Sequence, residues 1–201
     1  MKKNTGIISL IATIIVVIII VLIYMRTIPK TIPTENILPQ AYQNSTRGIL
    51  FRYPTGFTLD ETYTYQGFGP GKSISGIKLT IPSQMATGTN LSTDSYLSVE
   101  QVSGSQPCTP RLFLDQGRGG ITQTITTGGI TYLSASSTDA AAGNRYEEIV
   151  YTLPKSIPCT SVRYFIHYGA IENYPKDMVK QFDKVSLLKQ FDTIRQTLQT
   201  Q

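Results

Sequence analysis

Hydrophobic positions along the chain follow three patterns in turn. Ile7 to Met25 (IISLIATIIVVIIIVLIYM) is a run of 19 residues without a charge, in which only Ser9 and Thr13 are polar. At about 1.5 Å per residue, a helix of that length spans the roughly 30 Å hydrocarbon core of a bilayer. A cleaved secretory signal has a shorter apolar region, about 7–15 residues, ending in small residues. Here the run ends in Leu22, Ile23, Tyr24 and Met25, so the sequence predicts an uncleaved anchor over 7–25, behind a short N-terminus of residues 1–6. Residues 26–46 carry Pro29, Pro33 and Pro39 among polar residues and read as an extended stalk.

The second pattern has period two. Gly48 to Asp60 gives two short extended runs broken by Pro54 and Gly56, and Thr62-Tyr63-Thr64-Tyr65 alternates cleanly. Ile74–Ile81 and Tyr96–Val102 are further strands. Thr109 before Pro110 predicts a short helical turn through Leu114. Ile121–Thr126 and Gly129–Ser136 flank Gly128-Gly129 as a hairpin. Arg145–Leu153 and Thr160–Ala170, rich in β-branched and aromatic residues, are the strongest strands. In the latter, Val162, Tyr164, Ile166, Tyr168 and Ala170 share one face, and Arg163, Phe165 and His167 the other. A hairpin centred on Ile157 sets Tyr151 opposite Arg163, Ile149 opposite Phe165 and Glu147 opposite His167. Glu147, Arg163 and His167 are therefore the candidate polar site.

The third pattern is helical. Met178, Phe182, Val185, Leu188, Phe191, Ile194 and Leu198 recur at threes and fours, predicting an amphipathic helix of about 20 residues. The fold class expected is α+β: an N-terminal transmembrane helix, then over 47–201 a mainly antiparallel sheet packed by a long C-terminal helix.

Charge removes one class of function. Lys and Arg outnumber Asp and Glu by 18 to 13, but Lys2, Lys3, Arg26 and Lys30 flank the apolar run. Residues 31–201 hold 14 basic against 13 acidic groups, a net of +1, which lacks the field that nucleic acid requires. Lys2, Lys3 and the terminal amine slightly exceed Arg26 and Lys30, placing the N-terminus in the cytoplasm and the C-terminal domain outside. The expected location is a cell membrane, single-pass, with the bilayer as one partner through residues 7–25.

Cys108 and Cys159 are the two cysteines, and in an oxidising compartment an even count implies a disulfide between them. One histidine and two cysteines exclude most metal sites. Gly67-Phe68-Gly69-Pro70-Gly71-Lys72-Ser73 imitates a phosphate loop, but the pattern needs glycine where Gln66 stands, and Pro70 removes a backbone donor. Gly56-Phe57-Thr58-Leu59-Asp60-Glu61 echoes a pilin processing motif on the wrong side of the apolar run. His167 is the only imidazole, and no G-x-S-x-G elbow accompanies it. Glu147 and Glu148 point to opposite faces of a strand and form no acid/base dyad. Asn44-Ser45-Thr46 and Asn90-Leu91-Ser92 fit the N-glycosylation pattern.

The opening ILFRYPTGF, a Tyr-Pro-x-Gly-aromatic turn between strands, resembles the start of PsbP/Mog1-like domains, although Phe57 stands where such turns often carry tryptophan. The closing FDKVSLLKQFDTIRQTL resembles the C-terminal helix of such bacterial domains. TNLSTDSYLSVE and YEEIVYTLP…CTSVRYFIHY resemble segments of small uncharacterised membrane-anchored proteins of bacteria with reduced genomes. The resemblance implies an α/β/α arrangement and a non-catalytic binding or assembly role, and it brings no catalytic residues. The expected function is thus a membrane-anchored extracytoplasmic domain, not an enzyme and without cofactor, that binds an envelope protein or glycan. The competing expectation is an envelope hydrolase using His167 with a serine or aspartate.

Overall fold

The computed structural model describes residues 38–104, 107–115 and 120–200, together with Ile18. The anchor expected over 7–25 otherwise lies outside the described residues. Among those described, no helix is long and apolar enough to cross a membrane.

From Leu38 onward the chain is one compact unit. A small antiparallel sheet joins β1 (Gln40–Asn44), β2 (Ile49–Tyr53) and β11 (Gln199–Thr200), in the order β1-β2-β11. The large antiparallel sheet holds β3 (Thr58–Asp60), β4 (Thr64–Tyr65), β5 (Ile74–Thr80), β6 (Tyr96–Val102), β7 (Gln123–Thr127), β8 (Ile130–Ala141), β9 (Asn144–Thr152) and β10 (Cys159–Gly169). Its order is β3-β5-β6-β10-β9-β8-β7, with β4 also pairing β5. Two helices complete the described elements, α1 (Ser83–Ala86) and α2 (Lys184–Arg195), with single helical turns at Pro110–Leu112 and Ile171–Asn173.

Two expectations are corrected here. Part of the expected stalk belongs to the domain: β1 pairs β2, Leu38 is fully buried, and Tyr42 stacks on Phe51 at 5.2 Å. The α+β architecture packed by a long C-terminal helix is overturned as well. The described chain is mostly antiparallel sheet, and the helix expected over Met178–Leu198 is the 12-residue α2. Tertiary bonds decide its ends. Asn90 N–H donates to Lys180 O at 3.0 Å, Lys180 N–H to Gly88 O at 2.9 Å, and Phe182 N–H to the buried Asn90 Oδ1 at 2.9 Å. These ladder-like bonds hold residues 180–182 extended, and Asp183 then caps α2 by accepting from Ser186 N–H at 3.0 Å. At the far end Thr197 bonds the Arg52 backbone, and Gln199 and Thr200 pair with Leu50 and Ile49. Met178 and Val185, expected on the apolar face, are 64% and 78% exposed. Phe182, Phe191, Ile194 and Leu198 of the expected face are buried and Leu188 is half-buried, while Leu187, outside that face, is buried as well.

The larger core lies on the α2 face of the large sheet. Ile77 and Leu79 of β5, Leu97 and Val99 of β6, and Val162, Tyr164 and Ile166 of β10 meet Phe191, Leu187 and the small sheet's Phe51 there. The opposite face is closed at one end by a second cluster of Phe113, Leu114, Ile74, Val150 and the two cysteines. Cys108 and Cys159 form a disulfide, with their Cα atoms 5.2 Å apart and a sequence separation of 51. Closing a loop of that length is worth about 4 kcal/mol by the loop-entropy relation. Cys159→Ala is expected to lower the melting temperature markedly, and mass mapping of unreduced protein should recover the linked peptides. Two free thiols in native protein would contradict it.

The hairpin register is one residue away from that expected. Leu153 N–H donates to Thr160 O at 3.0 Å, so the six-residue loop sets Arg163 opposite Val150, Phe165 opposite Glu148, and His167 opposite Tyr146. Glu147 stands opposite Ile166. A shift of one residue moves every partner to the other face, and here it exchanges Glu147 for Glu148 beside Arg163.

Candidate functional site

On the face of the large sheet away from α2, β10 contributes Arg163, Phe165 and His167, β6 contributes Ser98 and Glu100, and β9 contributes Tyr146 and Glu148. Arg163 is fully buried, as is Glu100. Arg163 Nε donates to Glu100 Oε1 at 2.8 Å and Nη2 to Oε2 at 2.9 Å, a two-point grip on the carboxylate. Nη1 donates to Glu148, and Nη2 also donates to Phe113 O at 2.6 Å. Ser98 Oγ donates to Glu100 Oε1 at 2.7 Å. Tyr65 covers the guanidinium, its ring centroid 3.6 Å from Cζ, while its hydroxyl donates to Glu148 Oε1 at 3.0 Å. Burial works against the charge on Arg163, but the two carboxylates outweigh it and hold the pKa above its ordinary value. Burial likewise raises the pKa of Tyr65, which stays a neutral donor. One glycine makes the grip possible: a Cβ on Gly76 would lie 2.7 Å from Val99 O and 3.0 Å from Glu100 Cγ.

Beside this network lies a cleft of about 390 Å³, within the range of small-ligand sites. Tyr65, Tyr146 and Phe165 line it together with Glu148, Ser137 and Asp139, and Asp115 joins from the loop after the 110–112 turn. The strand residues share the face because Ser137 is opposite Glu148 and Asp139 opposite Tyr146. No basic residue lines the cleft among the described residues. Phe165 is stacked on Tyr96 at 4.8 Å, and the Tyr96 hydroxyl meets that of Tyr63 at 2.8 Å.

The three residues of the expected polar site are not brought together. Arg163 belongs to the buried network. His167 Nδ1 lies 2.8 Å from Asp94 Oδ1, and its ring stacks on Tyr146 at 4.5 Å. Its Nε2 is buried without a hydrogen-bond partner. Glu147, on the α2 face, accepts from Tyr168 OH at 2.8 Å and from Lys184. The residues the sequence reading missed are Glu100, Glu148, Tyr65 and Asp94. Glu100 gave no signal of burial: alternation puts it on the face of β6 opposite Leu97 and Val99, the side a half-buried strand turns to water.

The Gly-Lys-Ser loop runs through successive turns, with Gly69 N–H on Gln66 O and Lys72 N–H on Gly69 O, and a strand follows it where a phosphate loop has a helix. Asn90 is only 2% exposed and its amide donates to Gly169 O at 2.7 Å, so this asparagine is structural. Asn44 accepts from Arg47 N–H, as a turn residue does.

No family model matches the chain, and no curated protein matches it. A crystal structure of a protein from Bacteroides thetaiotaomicron is similar over 77% of this chain and 45% of its own, with 8% identity and a TM-score of 0.42. At that level of likeness two chains need share neither fold nor function. The chain therefore spans less than half of that protein, and the match brings no link to PsbP/Mog1-like domains.

Proposed function

We propose that the chain is a membrane-anchored binding protein, held at a cell membrane by residues 7–25, whose domain from Leu38 onward lies outside and takes a glycan of the cell envelope in the cleft. The observation that carries this reading is the meeting of Tyr65, Tyr146 and Phe165 with carboxylates and the Ser137 hydroxyl around about 390 Å³. Aromatic rings offer apolar faces to the C–H side of a sugar, and carboxylates accept from its hydroxyls. The buried Arg163–Glu100–Glu148 network beneath supplies rigidity, because every member has more than one partner. The anchor rests on the uncharged run in the sequence.

The test is a glycan array probed with the detergent-solubilised full chain. Tyr146→Ala is expected to weaken a glycan found this way on the order of tenfold, which corresponds to about 1.4 kcal/mol. Equal binding by the variant, at unchanged melting temperature, would remove the cleft from the function.

One observation favours a second reading, an envelope hydrolase. Asp94 orients His167 through Nδ1 as an acid orients a general base, and Nε2 is left without a partner. Against it, no hydroxyl among the described residues reaches Nε2. Turnover of envelope glycans that disappears in His167→Gln would favour the hydrolase; binding retained in that variant without turnover would favour the cleft alone.

A further inference from the structure

Sheet edges expose a row of unpaired N–H and C=O groups, and proteins blunt them with charge, proline or very short strands. Three edges of this domain are blunted in these ways. β3 is three residues long and ends on Asp60, which lies 3.7 Å from Lys78 Nζ. β11 has two residues, and β1 is entered through Pro39. The fourth edge, β7, is different. It is five residues long and reads Gln-Thr-Ile-Thr-Thr, and no described strand lies beyond it. It sits in a stretch of 20 residues, Gly119 to Thr138, that contains neither a charge nor a proline. In a chain that is 15% charged, a stretch of that length would average about three charges. Ile121, just before the strand, is 87% exposed.

The hairpin geometry decides which backbone groups face outward. β7 and β8 are joined by Gly128 and Gly129 at φ +60° and +78°, a two-residue turn of the I′ kind, whose flanking residues Thr127 and Ile130 form a hydrogen-bonded pair. Alternation along the ladder then turns the N–H and C=O of Ile125 toward β8, and those of Thr124 and Thr126 away from the sheet. Both threonine side chains are exposed. A second β7, antiparallel about a two-fold axis at Ile125, would set each Thr124 opposite the other copy's Thr126. Each such pair exchanges two backbone hydrogen bonds. No charge is opposed, and the two Ile125 side chains meet across the axis.

We infer that β7 is the edge through which this protein pairs with a second copy of itself, forming one continuous sheet across the two chains. The uncharged Thr-Ile-Thr segment is its own complement about the axis, and the inference uses no part of the binding reading above.

Sedimentation velocity on the full chain in detergent tests it. Wild type is expected as a dimer. Thr124→Lys with Thr126→Lys, which opposes like charges across the axis, is expected as a monomer with the wild-type melting temperature. Both native cysteines are bridged, so an introduced thiol is unique. Ile125→Cys should give a covalent dimer on mild oxidation, because directly opposed residues of a non-hydrogen-bonded pair lie within disulfide reach. Gln84→Cys, exposed on α1, should not. A monomeric wild type, a dimer that survives the two lysines, or equal crosslinking from positions 84 and 125 would each overturn the inference. Should the lysine variant fail to fold, the crosslinking comparison still decides.

Discussion

Arg163→Ala is expected to cost about 3–5 kcal/mol, the range for removing one partner of a buried ion pair. The cost arises from what stays behind. Glu100 is fully buried, and its two oxygens would keep only the Ser98 hydroxyl of their present side-chain partners. Glu148 would keep only the Tyr65 hydroxyl. Against domain stabilities of about 5–15 kcal/mol, that is a large share, and urea unfolding should show a much lower midpoint for the variant than for wild type. A companion variant separates charge from packing. Arg163→Met combined with Glu100→Gln and Glu148→Gln removes all three charges while keeping most of the volume, and should recover a large part of the loss. If the single variant were as stable as wild type, the network would contribute nothing to folding.

Phe191→Ala is the second large loss, again about 3–5 kcal/mol, as for other fully buried phenylalanines. The ring lies 5.1 Å from that of Tyr164 on β10 and 6.5 Å from that of Phe57. It thus ties α2 both to the large sheet and to the turn after β2. Neighbouring Tyr164 shares its hydroxyl with Arg195 and Asp192, so the cavity cannot collapse without disturbing those bonds. Lys189→Ala, on the exposed side of the same helix, should change stability by less than about 0.5 kcal/mol. Comparable urea midpoints for the two variants would mean that α2 is not packed through Phe191.

The strands were legible because their signal is local. Alternation and β-branched content mark β5, β6, β9 and β10 whatever their neighbours, and the Gly128-Gly129 turn marks the β7–β8 hairpin. The disulfide was legible from two cysteines alone. The C-terminal helix was misread because its limits are set from a distance. Phe182 sits at the right spacing for a helix, yet its N–H is claimed by Asn90, 92 residues away. The candidate site suffered from a smaller error with the same origin. Pro154–Pro158 can close a hairpin in more than one register, and the chosen one decides whether Glu147 or Glu148 faces Arg163. Tyr65 reaches the site from β4, and Asp94 from the turn before β6, and no spacing within their own segments announces that. Arg163 alone was placed on the correct face with Phe165 and His167, since alternation within one strand does not depend on register.

The place of the disulfide in the strand order bears on how the chain assembles. β7 to β10 form a run of neighbours in sequence, each paired with the next, so contacts there are local and fast to make. The pairing of β10 with β6 instead joins Cys159 to Val102 across the whole run, and searches over such separations slow folding. Cys108 lies six residues beyond Val102, so once its sulfur is joined to Cys159 that search is already over. An oxidised chain that loses its structure therefore keeps β6 tethered beside β10, and it re-forms by local zipping. A chain made under reducing conditions has to find this pairing by diffusion, with the uncharged β7–β8 hairpin exposed to other chains while it does.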